Sequence, residues 1–295
     1  LMSFFSASQD IAIDAYRTDL LKPEERGLGA ALAIGGWRLG AVFSGGLALV
    51  FAGDLGWHVT YMLMSAFMLI GLVGSIVGPK AEFEKSAPVS LMDAVWLPLK
   101  DFMMRPMALA LLALVILYKF GDAFSLSLMT TFLVRGVGFH LATVGYIFKI
   151  FGAIATIVGA ILGGFLIPRM GLFWSLLIFG ILQAVTNLLF LLLIAVGKSV
   201  LLLSITICVD NLAGGMGTAA FLAFLMTLCN HHYTATQFAL LSAISSVGRV
   251  ILASSAGYIV AATNWSIFYW ISFFVAFPGL ILLVILKDKI KFESV

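Results

Sequence analysis

Apolar residues run along this chain in long blocks separated by short polar breaks, without the strict alternation of strands. Blocks of about 20 residues suit helices that cross a bilayer core of ~30 Å at ~1.5 Å per residue. Read against turn signals, the pattern predicts nine spans, at 1–17, 27–52, 57–78, 107–134, 141–167, 172–196, 199–229, 234–262 and 265–287. Most connections carry turn chemistry, such as "GDLG" at 53–56 and "PRMG" at 168–171. One connection, 79–106, is long. Within it Ser90 and Asp93 have capping-box spacing, and Leu91, Val95 and Trp96 share one side of the short helix that follows. That helix is expected to lie in the membrane surface.

Composition sharpens the class. The chain is 62% hydrophobic and 11% charged, with a mean hydropathy of +1.13, far from the half-apolar, quarter-charged mix of soluble domains. A membrane β-barrel would show short alternating segments, which are missing from the sequence. The fold class is therefore an all-α polytopic membrane protein. A net charge of +3 on scattered bases argues against a nucleic-acid partner. Cys208 and Cys229 have no CxxC or His partner at ligand spacing and are expected as free thiols, with no metal site. The opening "LMSFFSASQD" lacks a basic n-region and an initiator Met, so the chain is expected to be a fragment without its N-terminal part.

Charge in the connections sets the orientation. Alternate loops hold Arg17, Lys22, Arg26, Lys80, Lys85, Lys100, Arg105, Arg169, Lys287, Lys289 and Lys291, whereas the opposite set holds Arg135 and Lys198. Under the positive-inside rule the long loop and the C-terminus are cytoplasmic. An internal repeat follows the same logic. Arg38, Ser44 and Gly46 align with Arg249, Ser255 and Gly257, and Trp57/Tyr61 with Trp265/Tyr269. An even number of spans separates the copies, as in the parallel halves of major facilitator transporters. On that frame the chain holds helices four to twelve. Residues 1–78 are then the rest of the N-terminal half, 79–106 the linker between halves, 107–287 the six-helix C-terminal half and 288–295 a cytoplasmic tail. "GFLIPRMG" at 164–171 resembles the superfamily's loop motif, with Pro168 in place of its Asp.

Eight charged residues fall inside or near the ends of spans: Asp10, Asp14, Arg38, Lys119, Asp122, Lys149, Asp210 and Arg249. Facing lipid, each would cost roughly 2.5–3.5 kcal/mol at the bilayer centre, so they are expected to face one another or a wet cavity. The third, sixth and ninth spans carry none, and these correspond to the outer helices of the facilitator arrangement. Lys119 and Asp122 are three apart and share a helix face. A fixed structural ion pair is the alternative to a functional one. Asp10 and Asp14 are four apart, which raises one carboxyl's affinity for protons if both face a poorly solvated site. Alternatively, Asp14 pairs with Arg17 and leaves Asp10 alone. Asp10, Asp14 and Asp122 are the proton-coupling candidates, and Gln9, Lys119, Asp210 and Asn211 the substrate-binding candidates. Arg38, Lys149 and Arg249 would complete a cavity charge network. Gln183 and Asn187 read as interhelical contacts. "VGKS" at 196–199 fails the P-loop pattern at Leu192, and "GGMG" at 214–217 suits close helix packing. "NWS" at Asn264 sits in a tight turn, and adjacent His231 and His232 lack metal spacing.

The chain also resembles the AmpG muropeptide permease family along nearly its whole length. "SASQDIAIDAYRTDLLKPEERGLGAA", "LYKFGDAFSLSLMTTFLVRGVGF", "IVGAILGGFLIPRMG", "LIFGILQAVTN", "NLAGGMGTAAFLAFLMTLCN" and "TATQFALLSAISSVGRV" carry the likeness. The resemblance implies a non-enzymatic, monomeric transporter of the bacterial inner membrane, in contact with membrane lipids. It implies import of GlcNAc-anhydroMurNAc, with or without peptide, driven by the proton gradient without a cofactor. That import serves peptidoglycan recycling and β-lactamase induction. Other readings are a facilitator for a sugar or an acyl-CoA, and a non-transporting membrane receptor or scaffold.

Overall fold

A computed structural model describes residues 2–79, 90–230 and 232–290, and these residues form helices and connecting turns with no strand. Nine long helices run back and forth: α1 (Met2–Leu20), α2 (Pro23–Ser44) and α3 (Asp54–Val77), then, after the short α4 (Leu91–Met103), α5 (Ala108–Gly136), α6 (Leu141–Met170), α7 (Leu172–Val196) and α8 (Val200–Leu228), α9 (Thr234–Ala262) and α10 (Trp265–Ile285). Seven of them are long and apolar enough to cross a membrane. The other two, α1 and α9, are 19 and 29 residues long. Asp10, Asp14, Arg17 and Asp19 dilute α1, and Ser, Thr and Gly dilute α9. Residues 80–89 of the expected linker, His231 and the tail from 291 lie outside the described residues.

Local chemistry explains the helix ends. Ser199 and Asn264 open α8 and α10 by accepting the Leu202 and Ile267 N–H at 3.3 and 2.9 Å. The "NWS" asparagine is therefore a helix cap. Gly171 and Gly197 turn the chain at φ 79° and 81°, a region that penalises a Cβ.

Lipid tails are as apolar as leucine, so these helices are held by close packing and buried hydrogen bonds rather than by hydrophobic exclusion. The tightest seam joins α6 to α8. A Cβ on Gly159 would strike the Leu212 carbonyl, and one on Gly215 the Thr156 carbonyl. The "GGMG" stretch is thus a packing surface. Aromatic rings fill the far end of α5, α7 and α10, with Phe190 stacked on Tyr269 at 4.8 Å and Phe132 edge-on to the same ring.

Helices α5 and α6 are irregular in mid-span. The sequence predicts a continuous span over 107–134, but α5 breaks at Lys119 (φ −90°, ψ 0°) and again at Leu128. Beside the first break the α10 backbone presses in so closely that a Cβ on Gly279 would lie 2.7 Å from the Leu117 carbonyl. Helix α6 contains a π turn at Phe148–Gly152.

The expected short helix is present as α4. Ser90 accepts the Asp93 N–H at 3.1 Å and its hydroxyl donates to the Asp93 carboxylate at 2.7 Å. Val95 and Trp96 are exposed. Its other side is fixed to α9. Thr236 donates to the Ala94 carbonyl at 3.0 Å, and buried Gln237 to the Pro98 carbonyl at 3.0 Å and Asp101 at 2.8 Å. Asp101 also accepts from Arg105 at 2.7 Å and from Asn230 at 3.3 Å. Burial pushes the Asp101 carboxyl up, but the Arg105, Gln237 and Asn230 hydrogen bonds outweigh it and hold the carboxyl below its usual range. A depressed folded value means this anchoring is complete above the unfolded carboxyl value of ~3.9 and is lost as pH falls through the folded value. Asp101→Asn should therefore speed amide exchange in α4 near neutral pH, with the difference from the parent shrinking in strong acid.

Candidate functional site

Helices α1 and α2 meet α6, α8 and α9 at the end that carries α4, and separate towards the other. At the α4 end the Thr234 hydroxyl donates to Asp19 at 2.6 Å, and Gly27 and Gly164 touch backbone to backbone, a Cβ on Gly164 falling 2.7 Å from the Gly27 carbonyl. Farther along α2, Gly36 and Gly40 touch nothing. Between the diverging helices lies a cavity of about 440 Å³, lined by Asp10, Asp14, Arg17, Trp37, Arg38, Thr156, Thr218 and Ser242. Its volume falls in the ~300–1,000 Å³ range of small-molecule sites.

Both helix-one carboxylates line this cavity, as their spacing predicts. Their environments differ. Asp14 is bonded to Arg17 at 2.7 Å, the second of the two sequence readings, and the Arg17 guanidinium lies over the Phe238 ring at 5.8 Å. Asp10 is exposed and without an ion pair among the described residues. Lys119, outside the lining, donates to Thr218 of the cavity wall at 3.0 Å and lies 3.4 Å from Asp122. Its ammonium sits 5.7 Å from the Phe221 ring centre. Arg38 stacks on Trp37 at 5.3 Å and lies within electrostatic reach of Asp122. Arg38, Asp122 and Lys119 thus form one charge group bridging α2 and α5. The break in α5 at Lys119 places this group on irregular backbone inside the bundle, which is stable only against protein or a wet cavity.

Other candidates lie elsewhere. Asn211 is buried between α6 and α8, accepting from Thr156 at 3.1 Å and donating to the Ile207 carbonyl at 2.9 Å. Asp210 turns towards α7, where Thr186 donates to it at 3.0 Å. Neither lines the cavity. Gln9 is exposed next to Asp10, and Lys149 is exposed on the π turn of α6. The Arg249 side chain lies outside the described residues. Cys208 and Cys229 are not joined in a disulfide.

Residues 1–253 match the profile of the Major Facilitator Superfamily. The chain is 48% identical over its full length to the "Anhydromuropeptide permease" of Escherichia coli K12, of which it spans 60%. It is 32% identical over 99% of its length to "Putative transporter AmpG 4" of Rickettsia conorii, covering 72% of that protein. The chain belongs to the Major Facilitator Superfamily, among its AmpG-type members. Its fold is shared with a bacterial homologue of the iron transporter ferroportin, solved in an outward-facing state, at a TM-score of 0.72 and 14% identity over 97% of this chain and 70% of that one. With its apolar helices, it is a multi-pass membrane protein. These relatives are named as a permease and a putative transporter.

Several residues of the superfamily cavity escaped sequence reading. Thr218 is 99 positions from the lysine it binds, and no local spacing signals that. Arg17 reads as a loop cation but is partly buried on the cavity wall. Thr186 has no charge to mark it. The "GFLIPRMG" loop motif contributes Gly164 to the helix contact, while Arg169 reaches only its own helix, 3.5 Å from the Phe165 carbonyl.

Proposed function

We propose that this chain acts in proton-coupled import of anhydromuropeptides, GlcNAc-anhydroMurNAc with or without peptide, across the bacterial inner membrane. The reading rests on the Arg38–Asp122–Lys119 group beside the cavity, in a chain 48% identical to a named anhydromuropeptide permease. The α4 end and the C-terminus face the cytoplasm, so the contacts there close the cavity inward and leave it open to the periplasm. Nine spans, in two halves joined through residues 79–106, then rock about the cavity as a monomer surrounded by lipid, with the proton gradient as the energy source and no cofactor.

In this state Asp122 occupies the Lys119 ammonium. A proton arriving through the exposed carboxyl of Asp10 neutralises Asp122 and releases Lys119 to meet a substrate carboxylate. Trp37 offers a ring face to the sugars. One anion and one proton together add no net charge, so the loaded site keeps its charge as the halves reorient. Ser242 supplies a wall hydroxyl to the sugar. The natural gene product carrying this chain should restore β-lactamase induction and muropeptide recycling in a strain lacking its own permease. A folded, membrane-inserted product that restores neither would overturn the substrate assignment.

A further inference from the structure

Behind the cavity wall lies a second polar layer that the transport reading does not use. Asp210 is its only carboxylate among the described residues, and it is partly buried at mid-helix in α8. No cation pairs with it among the described residues. Its one hydrogen-bond partner among the described residues is the Thr186 hydroxyl, at 3.0 Å, and that same hydroxyl lies 2.9 Å from the Gln183 carbonyl. A hydroxyl has a single proton and cannot donate to both. With Asp210 neutral, its own O–H donates to Thr186 and Thr186 donates to Gln183, so both short contacts are hydrogen bonds.

The surroundings favour the same state. The Tyr269 hydroxyl from α10 lies within electrostatic reach of Asp210 and has no hydrogen-bond partner among the described residues. The Thr206 hydroxyl, one turn before Asp210 on α8, and the Asn187 amide nitrogen, beside Thr186 on α7, are also buried without one. Buried polar atoms of this kind are normally satisfied, often by an internal water with two to four partners. The charged group facing Asp210 from α5 is Asp122, of like sign, with Lys119 already bound to it. From α7 it meets neutral Thr186, and from α10 Tyr269. Two neighbouring carboxylates do not both ionise easily.

We propose that Asp210 holds the coupling proton in this conformation, within a water-bearing layer formed with Thr186, Thr206 and Tyr269, and exchanges it with Asp122. In the transfer the O–H bond at Asp210 breaks and one forms at Asp122. Asp210 becomes the carboxylate, and Lys119 is released from Asp122. This inference rests on the proton-coupled reading above, but its first test does not need the substrate.

The natural gene product in lipid nanodiscs at neutral pH should show a protonated-carboxyl C=O stretch in the infrared that Asp210→Asn removes. Thr186→Val, which deletes the hydrogen bond to that carboxyl, should shift the band upward. A spectrum unchanged by Asp210→Asn overturns the proposal, whether or not the protein carries muropeptides. In liposomes, Asp210→Asn, which mimics the neutral acid, should keep substrate exchange but lose accumulation under a proton gradient by about tenfold or more. Asp210→Glu should recover part of the accumulation. Full gradient-driven accumulation by Asp210→Asn overturns the coupling role. A parent protein that carries no anhydromuropeptide contradicts the substrate assignment and leaves the infrared result to decide whether Asp210 holds a proton.

Discussion

Replacing Gly164 by valine is expected to leave a folded protein that no longer moves substrate. At Gly164 even a bare Cβ would lie 2.7 Å from the Gly27 carbonyl and 3.0 Å from the Ala31 Cβ. Valine adds two further methyl groups where α6 meets α2. Overpacking of this kind costs about 1–3 kcal/mol, and more where backbone cannot yield. The cost falls on one conformation, because the contact joins the two sets of helices that must separate at the α4 end when the cavity opens there. The equilibrium therefore shifts away from the cavity-open-outward state, by about tenfold for each 1.4 kcal/mol. Its neighbours provide the control. Gly159 and Gly215 seal α6 to α8 within one set of helices, and valine at either should reduce the amount of folded protein itself. The measurement is labelling of Ser242→Cys, on the cavity wall, by an impermeant thiol reagent in a Cys208→Ala/Cys229→Ala background. Gly164→Val should raise labelling from the cytoplasmic side and abolish uptake. Unchanged labelling and uptake would mean that the Gly27–Gly164 contact does not gate transport.

Exchanging Lys119 and Asp122 for one another is expected to cut uptake about 30-fold, although it keeps the net charge and the spacing. If the pair served only to neutralise two buried charges, the swap would be tolerated, as an ion pair has no inherent direction. The surroundings give it one. Lys119 donates to Thr218 and sits over Phe221, both suited to a cation, while Asp122 faces Arg38. After the swap the new lysine meets Arg38 and the new aspartate meets the Phe221 ring face. Breaking a fully buried pair costs about 3–5 kcal/mol. These side chains are 17% and 25% exposed, so a loss of about 2 kcal/mol is a fairer scale, roughly 30-fold in rate. Asp122→Asn alone should retain binding and exchange while losing accumulation. Retained uptake in the swapped protein would return the pair to a structural role.

The helices were legible because a bilayer imposes one length on every span, and runs of apolar residues record that length directly. The Ser90 cap of α4 and the Lys119–Asp122 pair were legible for a related reason: both act over three residues, where helix geometry is fixed. What sequence did not reveal is direction around the helix axis. Asp210 and Asn211 are neighbours, yet one turns to Thr186 and the other to Thr156. Only the packing of α7 and α6 against α8 decides that. The break at Lys119 was equally hidden, since "ILYKFGD" has no proline and its glycine, Gly121, lies past the break. It arises where the α10 backbone closes on Leu117 at Gly279, 162 positions away by the residue numbers.

Uptake by the natural gene product in liposomes tests the central claim most directly. With an inward proton gradient imposed, labelled disaccharide–anhydromuramyl peptide should accumulate against its own gradient, and collapsing the proton gradient should release it. Accumulation that survives that collapse, or none at all from well-folded protein, would contradict the account.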